Sequence, residues 1–164
     1  MKIGLDFDKT VFDTGGLVEE LPVDLELFKN TFEKVYLSGN YTAERHAQEL
    51  QDRGKEVSAN RIKDVYSKAP NYLKTEVLEK ASSKHRLFMV TRADTKGWQQ
   101  QKIRAAAAEK YFHDIYIVYG DQPKDVPELD VLVDDNSEEL VEVSEDTKLY
   151  DGSRPLEAVL AELN

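Results

Sequence analysis

The amino-acid sequence predicts an α/β protein with a mostly parallel sheet and a helical insertion after the first strand. Short apolar runs of strand length alternate with helical segments in the later part of the chain, a pattern typical of parallel sheets with right-handed crossovers. Residues 15–82 show helical periodicity only. With 164 residues, 40% of them hydrophobic, the chain is long enough for one domain that carries a modest insertion.

The first predicted strand ends in two carboxylates. Ile3, Leu5 and Phe7 lie in a short apolar run that is typical of a buried parallel strand. Side chains alternate along a strand, so Asp6 and Asp8 leave it on the same side and can share one site. Placing two acids at the end of an apolar strand costs free energy unless a cation or a reacting group interacts with them. The alternative is that the strand ends in water and that Asp and Thr form a turn there.

The insertion is predicted to begin with a break and to continue as helices. The paired glycines at residues 15 and 16 predict an interruption of regular structure, and a hinge. Apolar periodicity and capping residues then predict helices at residues 25–35, at residues 42–54 with Thr42 as cap and Gly54 as terminator, at residues 58–69 with Ser58 as cap, and at residues 73–78.

Strands and helices alternate after the insertion. Apolar runs predict strands at residues 86–91, 115–119, 131–133 and 148–150. Helices are predicted at residues 93–111, 137–143 and 153–163, the last with Pro155 near its first position.

Composition limits the classes of function. The chain has 22 basic and 32 acidic residues, a formal net charge of −10, which disfavours nucleic-acid and membrane partners but not a small phosphorylated substrate. It has no cysteine, which excludes disulfides and thiolate chemistry. We see no secretory signal and no apolar run of membrane-spanning length, so we expect a soluble cytoplasmic protein.

Polar candidates follow several of the predicted strands. Thr91 ends the second strand, Lys124 lies in the loop after the third, and Asp134 and Asp135 end the fourth. Parallel strands present their carboxyl ends at one edge of the sheet, so these groups should converge with the acids that end the first strand.

In this order the residues resemble the four motifs of the haloacid dehalogenase-like hydrolase superfamily: residues 6–10 (DFDKT), the strand ending in Thr91, then Lys124, and the pair Asp134-Asp135. The resemblance covers the sheet and implies a Rossmann-like three-layer core formed by residues 1–14 and 83–164. Residues 15–82 would be a mobile helical cap inserted after the first motif. Lys124 lies unusually close to the last motif for this pattern.

The resemblance implies a Mg²⁺-dependent phosphatase that hydrolyses a small phosphomonoester through an aspartyl-phosphate. Asp6 would be the nucleophile, and Asp8 would act as general acid and then as general base. Two like charges so close help one of the two carboxyls to hold a proton. Thr91, Arg92 and Lys124 would bind the phosphoryl group.

The implied metal ligands are the side chains of Asp6 and Asp134 and the backbone carbonyl of Asp8, a set of oxygen donors that suits Mg²⁺. Asp135 would bind the metal through water or orient Lys124. The expected partner is a small phosphorylated metabolite, such as a nucleotide or a sugar phosphate.

Several alternatives stay open at this point. Lys124 could be a solvated loop lysine, with Lys96 or Lys102 in its role; Lys9 is disfavoured because strand alternation points it away from Asp6 and Asp8. Thr91 could cap a turn, and Asp135 could cap a helix. The chain could also be a catalytically degenerate member, or a receiver-like regulatory module that binds Mg²⁺ and phosphate, although the acids of receiver domains follow a different order. Dehalogenation is disfavoured because the loss of a halide needs no proton donor such as Asp8.

Overall fold

A five-stranded parallel sheet forms the centre of the molecule. The computed structural model describes residues 1–124, 128–136, 148–150 and 154–163. The strand order is β3-β2-β1-β4-β5, and every neighbouring pair is parallel, which confirms the predicted α/β class with a Rossmann-like sheet. The strands are β1 (Lys2–Leu5), β2 (Arg86–Ala93), β3 (Asp114–Tyr119), β4 (Val131–Val133) and β5 (Lys148–Tyr150).

Helices surround the sheet and form most of the insertion. Thr42 and Ser58 cap the helices that follow them, because each hydroxyl accepts from the backbone N–H three residues later. No helix in the described part of the chain is both long and apolar enough to cross a membrane. The helices are α1 (Thr14–Glu19), α2 (Leu25–Leu37), α3 (Ala43–Asp52), α4 (Ala59–Lys68), α5 (Thr75–Ser82), α6 (Lys96–Ala105) and α7 (Leu156–Ala161).

The predicted break at the paired glycines is wrong, because α1 begins there. The Asp13 carboxylate caps α1 by accepting from the backbone N–H of Gly16 at 3.0 Å. A Cβ atom at Gly16 would lie 2.5 Å from the ring of Tyr72. Glycine at this position therefore allows close packing against Tyr72 and does not interrupt the helix.

Several other predicted bounds differ from the structure, two of them in elements that carry site residues. Helix α6 ends at Ala105 rather than near residue 111, since Ala107 takes a left-handed conformation with φ of 53°. Strand β2 continues two residues beyond Thr91. The helix predicted at residues 137–143 lies outside the described residues.

Two hydrophobic clusters show how the elements pack. One lies against the sheet and includes Leu78 and Ala81 of α5. The other joins α2, α3 and α4, which we call the cap, and it includes Trp98 of α6. The division of the chain into a core and a cap at residues 14 and 82 stays a prediction. Helix α6, which belongs to the predicted core, contributes Trp98 to the cap cluster. The cap cluster consists of Phe28, Phe32, Ala43, Ala47, Leu50, Val57, Ile62 and Trp98.

Candidate active site

Two buried carboxylates and one lysine meet at the carboxyl edge of the sheet. Asp6 follows β1 and Asp134 follows β4, and these strands are neighbours. The Lys124 ammonium lies 3.0 Å from Asp6 Oδ1 and 2.5 Å from Asp134 Oδ2. All three residues are at most 5% exposed. The structure thus brings Lys124 to the predicted place, where it is not a solvated loop lysine.

The loop that carries Lys124 is held by Arg92. The guanidinium of Arg92 donates to the backbone carbonyl of Gly120 and, at 2.9 Å, to that of Gln122. Gly120 takes a left-handed conformation with φ of 54°, which turns the chain after β3. The role of Arg92 in binding phosphate stays a prediction, and these two contacts connect Arg92 to the loop that presents Lys124.

Three carboxylates are placed to share a cation. Asp6, Asp134 and Asp135 each offer one oxygen, and these oxygens lie within 4.8 Å of one another. The backbone N–H of Asn136 donates to Asp134 Oδ1 at 2.9 Å and so fixes that carboxylate. Oxygen-only donors suit Mg²⁺. Asp135, which was predicted to act through water or Lys124, belongs to this cluster directly.

Asp8 is held by three donors from outside the first strand. Its carboxylate accepts from Thr14 Oγ1 at 2.5 Å, from Lys102 Nζ at 2.5 Å and from Gln99 Nε2 at 2.8 Å. The sequence did not indicate Thr14 or Gln99, and it suggested Lys102 only as a substitute for Lys124. The available signal was the three-residue spacing of Gln99 and Lys102, which places them on one face of a helix.

Thr91 lies at the end of the same network. Its side chain is 1% exposed, and its Oγ1 accepts from Gln99 Nε2 at 3.0 Å. Gln99 therefore links Thr91 to Asp8, two of the side chains that were predicted to take part in the reaction.

The two neighbouring carboxyls differ in acidity. Burial raises the pKa of Asp6 to about 7, against the opposing effect of Lys124 and with a further rise from Asp134. Burial also acts to raise the pKa of Asp8, but Lys102, Thr14 and Gln99 together hold it below its usual value. One of the two carboxyls was expected to retain a proton, and the environments favour that proton on Asp6.

The cap contacts α6 next to this network. Glu33 of α2 accepts from the backbone N–H of Trp98 at 2.9 Å, and the Tyr36 hydroxyl donates to Gln100 Oε1 at 3.0 Å. A Cβ atom at Gly97 would lie 2.6 Å from the ring of Tyr36, so the two helices approach closely there. The helix that holds Asp8 is therefore also the helix on which the cap rests.

Comparison with known proteins identifies the fold. No protein-family model and no curated protein matches the sequence. Among solved structures, the chain is similar to YfnB from Bacillus subtilis, described as a HAD-hydrolase bound to magnesium, with a TM-score of 0.51, 13% identity and coverage of 99% of this chain and 98% of that one. A haloacid dehalogenase-like family hydrolase from Xanthomonas campestris also has a TM-score of 0.51 and 13% identity, with 99% of this chain and 95% of that one covered.

A third similar structure is a HAD-superfamily hydrolase of subfamily IA from Geobacter sulfurreducens, with a TM-score of 0.50, 14% identity and coverage of 99% of this chain and 98% of that one. Identities this low carry information about the fold alone. The predicted resemblance is confirmed at that level: the chain has the haloacid dehalogenase-like hydrolase fold.

Proposed function

We propose that this protein is a Mg²⁺-dependent phosphatase that hydrolyses a small phosphomonoester through an aspartyl-phosphate on Asp6. The observation that carries this proposal is the buried contact of Lys124 with both Asp6, at 3.0 Å, and Asp134, at 2.5 Å. A nucleophilic carboxylate, a cation that offsets its charge and a second acid for metal binding are the groups that this chemistry needs.

Each half of the reaction assigns a role to the chain's own residues. In the first, an Asp6 oxygen forms a bond to phosphorus and the bond to the leaving oxygen breaks, while the proton that the environments favour on Asp6 passes to Asp8 and from Asp8 to the leaving oxygen. In the second, water attacks phosphorus, Asp8 takes the proton of the water, and inorganic phosphate leaves Asp6. Lys124 offsets the negative charge of the phosphoryl group, and Thr91 donates its hydroxyl hydrogen to a phosphoryl oxygen.

The carboxylates of Asp6, Asp134 and Asp135 would hold the metal, because each directs one oxygen to a common place. Mg²⁺ there would offset the negative charge of the nucleophile and of the phosphoryl group. The backbone carbonyl of Asp8 is proposed as a further ligand, as the motif implies.

The proposed substrate is a small phosphorylated metabolite such as a nucleotide or a sugar phosphate. Thr91 and Lys124 are at most 2% exposed, which suits a phosphoryl group that is enclosed when it binds. The net charge of −10 disfavours a nucleic-acid or membrane partner, and we propose that the protein acts in the cytoplasm.

The test is release of inorganic phosphate from a panel of small phosphomonoesters with and without Mg²⁺. Hydrolysis that requires Mg²⁺ supports the proposal. Beryllium fluoride, a mimic of phosphate on a carboxylate, should bind at Asp6 in a structure determined with Mg²⁺. A beryllium fluoride adduct without hydrolysis of any phosphomonoester would favour the alternative, a regulatory module that binds Mg²⁺ and phosphate, and would contradict the phosphatase assignment.

A further inference from the structure

We propose that Gln99 and Lys102 of α6 are positioning residues that orient the Asp8 carboxylate and the Thr91 hydroxyl for proton transfer and phosphoryl binding. The proposal rests on the phosphatase function proposed above and assigns that site two residues that its motifs do not include.

Two polar side chains of α6 are buried and have defined partners. Gln99 is 3% exposed and Lys102 is 4% exposed, and both residue types are rarely buried unless they are paired. Lys102 Nζ lies 2.5 Å from Asp8 Oδ1 and 5.8 Å from the centre of the Phe7 ring. The cost of burying this ammonium group is therefore offset mainly at Asp8.

The hydrogen bonds of Gln99 have a defined direction. An ionised carboxylate only accepts, so the Gln99 atom 2.8 Å from Asp8 Oδ2 is the amide nitrogen. The same nitrogen lies 3.0 Å from Thr91 Oγ1. Thr91 therefore accepts from Gln99, and its own hydrogen is left to donate to another acceptor. A phosphoryl oxygen is the acceptor that the proposed reaction supplies.

Three donors surround the Asp8 carboxylate. Lys102 and Thr14 both donate to Oδ1, while Gln99 donates to Oδ2. An ionised carboxylate has about four acceptor positions, so three donors fix its rotation and leave one position on Oδ2. That position can exchange a proton with the leaving oxygen or with water. Loss of either α6 donor would free the carboxylate to rotate.

The test compares Gln99→Met and Lys102→Met with the conservative variant Lys102→Arg. Gln101→Met and Arg104→Met are matched controls on the same helix, where Gln101 is half-buried and Arg104 is exposed. Each protein is assayed with p-nitrophenyl phosphate, whose leaving group departs without a proton, and with an alkyl phosphomonoester, whose leaving group needs one. The first turnover is measured in both cases, because it isolates attack on phosphorus from hydrolysis of the aspartyl-phosphate.

Misplaced catalytic groups lose about 10²-fold in rate. We therefore expect Gln99→Met and Lys102→Met to slow the first turnover of the alkyl phosphate by about 10²-fold, and that of p-nitrophenyl phosphate by less than about tenfold, with KM changed little. Lys102→Arg should recover part of the rate, and both controls should match the wild type. Equal losses on the two substrates for Lys102→Met, which contacts Asp8 but not Thr91, or no loss in either variant, would overturn the proposal.

Crystal structures keep the inference testable apart from activity. If the wild-type protein hydrolyses neither substrate, the proposed function fails on its own. The positioning claim is then decided by whether the Asp8 carboxylate and the Thr91 hydroxyl leave their places in Gln99→Met. This variant removes no charge, so it serves if Lys102→Met does not fold. Unchanged positions of both groups would overturn the claim.

Discussion

Protonation of His46 should lower the free energy of unfolding in mildly acidic solution. His46 is fully buried in the cap, with Nε2 2.9 Å from Thr31 Oγ1 and Nδ1 3.1 Å from the Tyr41 hydroxyl. The Thr31 hydroxyl donates to the carbonyl of Leu27 at 2.8 Å, so it accepts from Nε2–H. Nδ1 is then the acceptor for Tyr41, and a proton on Nδ1 removes that acceptor.

The size of the effect follows from the pKa. Burial lowers the pKa of His46 from 6.5 to about 4. As the pH falls, the unfolded chain binds the proton first, so the stability that depends on neutral His46 is complete above about pH 6.5 and is lost towards pH 4. Linkage of these two pKa values gives a loss of about 2 kcal/mol at pH 5.

Urea unfolding at pH 7 and pH 5 tests this value in the wild type, in His46→Gln and in His113→Gln, where His113 is an exposed histidine. Because its pKa is raised, Asp6 increases the free energy of unfolding as the pH falls from 7 to 5, which opposes the effect of His46. The pH dependence of each variant is therefore compared with that of the wild type. Between pH 7 and pH 5, His46→Gln should lose about 2 kcal/mol less than the wild type, and His113→Gln is the control for loss of an exposed histidine. Equal pH dependence of His46→Gln and the wild type would refute the reasoning.

Three further predictions concern the proposed reaction. Asp6→Asn should abolish phosphate release while leaving the fold intact, because the amide has nearly the same shape but is a poor nucleophile; hydrolysis near the wild-type rate would exclude the covalent mechanism. Chelation should remove activity, Mg²⁺ should restore it and Ca²⁺ should do so poorly, since its coordination is looser; full activity in excess chelator would contradict the metal assignment. Lys124→Ala should lower kcat by at least about 10²-fold, whereas Lys55→Ala, which changes an exposed lysine between α3 and α4, should change kcat little.

The sheet and the acids at its edge could be predicted because they depend on local patterns. Apolar runs that end in carboxylates mark the ends of β1 and β4, and parallel pairing then brings Asp6 and Asp134 together. Lys124 fits despite its short distance in sequence from Asp134, because the chain turns at Gly120 and returns Lys124 to the same edge. For these residues the local sequence pattern and the order of the strands predict the same location, the carboxyl edge of the sheet.

Helix α1 could not be predicted in this way. Two glycines lower its helix propensity by about 1 kcal/mol each relative to alanine, so the local signal favours a break. The hydrogen bond from the backbone N–H of Gly16 to the Asp13 carboxylate satisfies the N-terminus of the helix, and the Tyr72 ring packs closely against Gly16. These two contacts outweigh the low helix propensity of the glycines. The helix also carries Thr14, a donor to Asp8, so this part of the site was missed together with the helix.

Helix α6 shows why the remaining site residues could not be read from the sequence. Trp98 packs with Phe28 of the cap at a ring distance of 5.3 Å, whereas the next residue, Gln99, contacts Asp8, 91 residues away in sequence. Because consecutive residues serve a hydrophobic cluster and a polar site, the helix has no simple division into an apolar and a solvated face. A buried glutamine and lysine can be understood only once Asp8 is in place beside them. A displacement of α6 would alter the cap contact and the Asp8 contact together, because one short helix carries both.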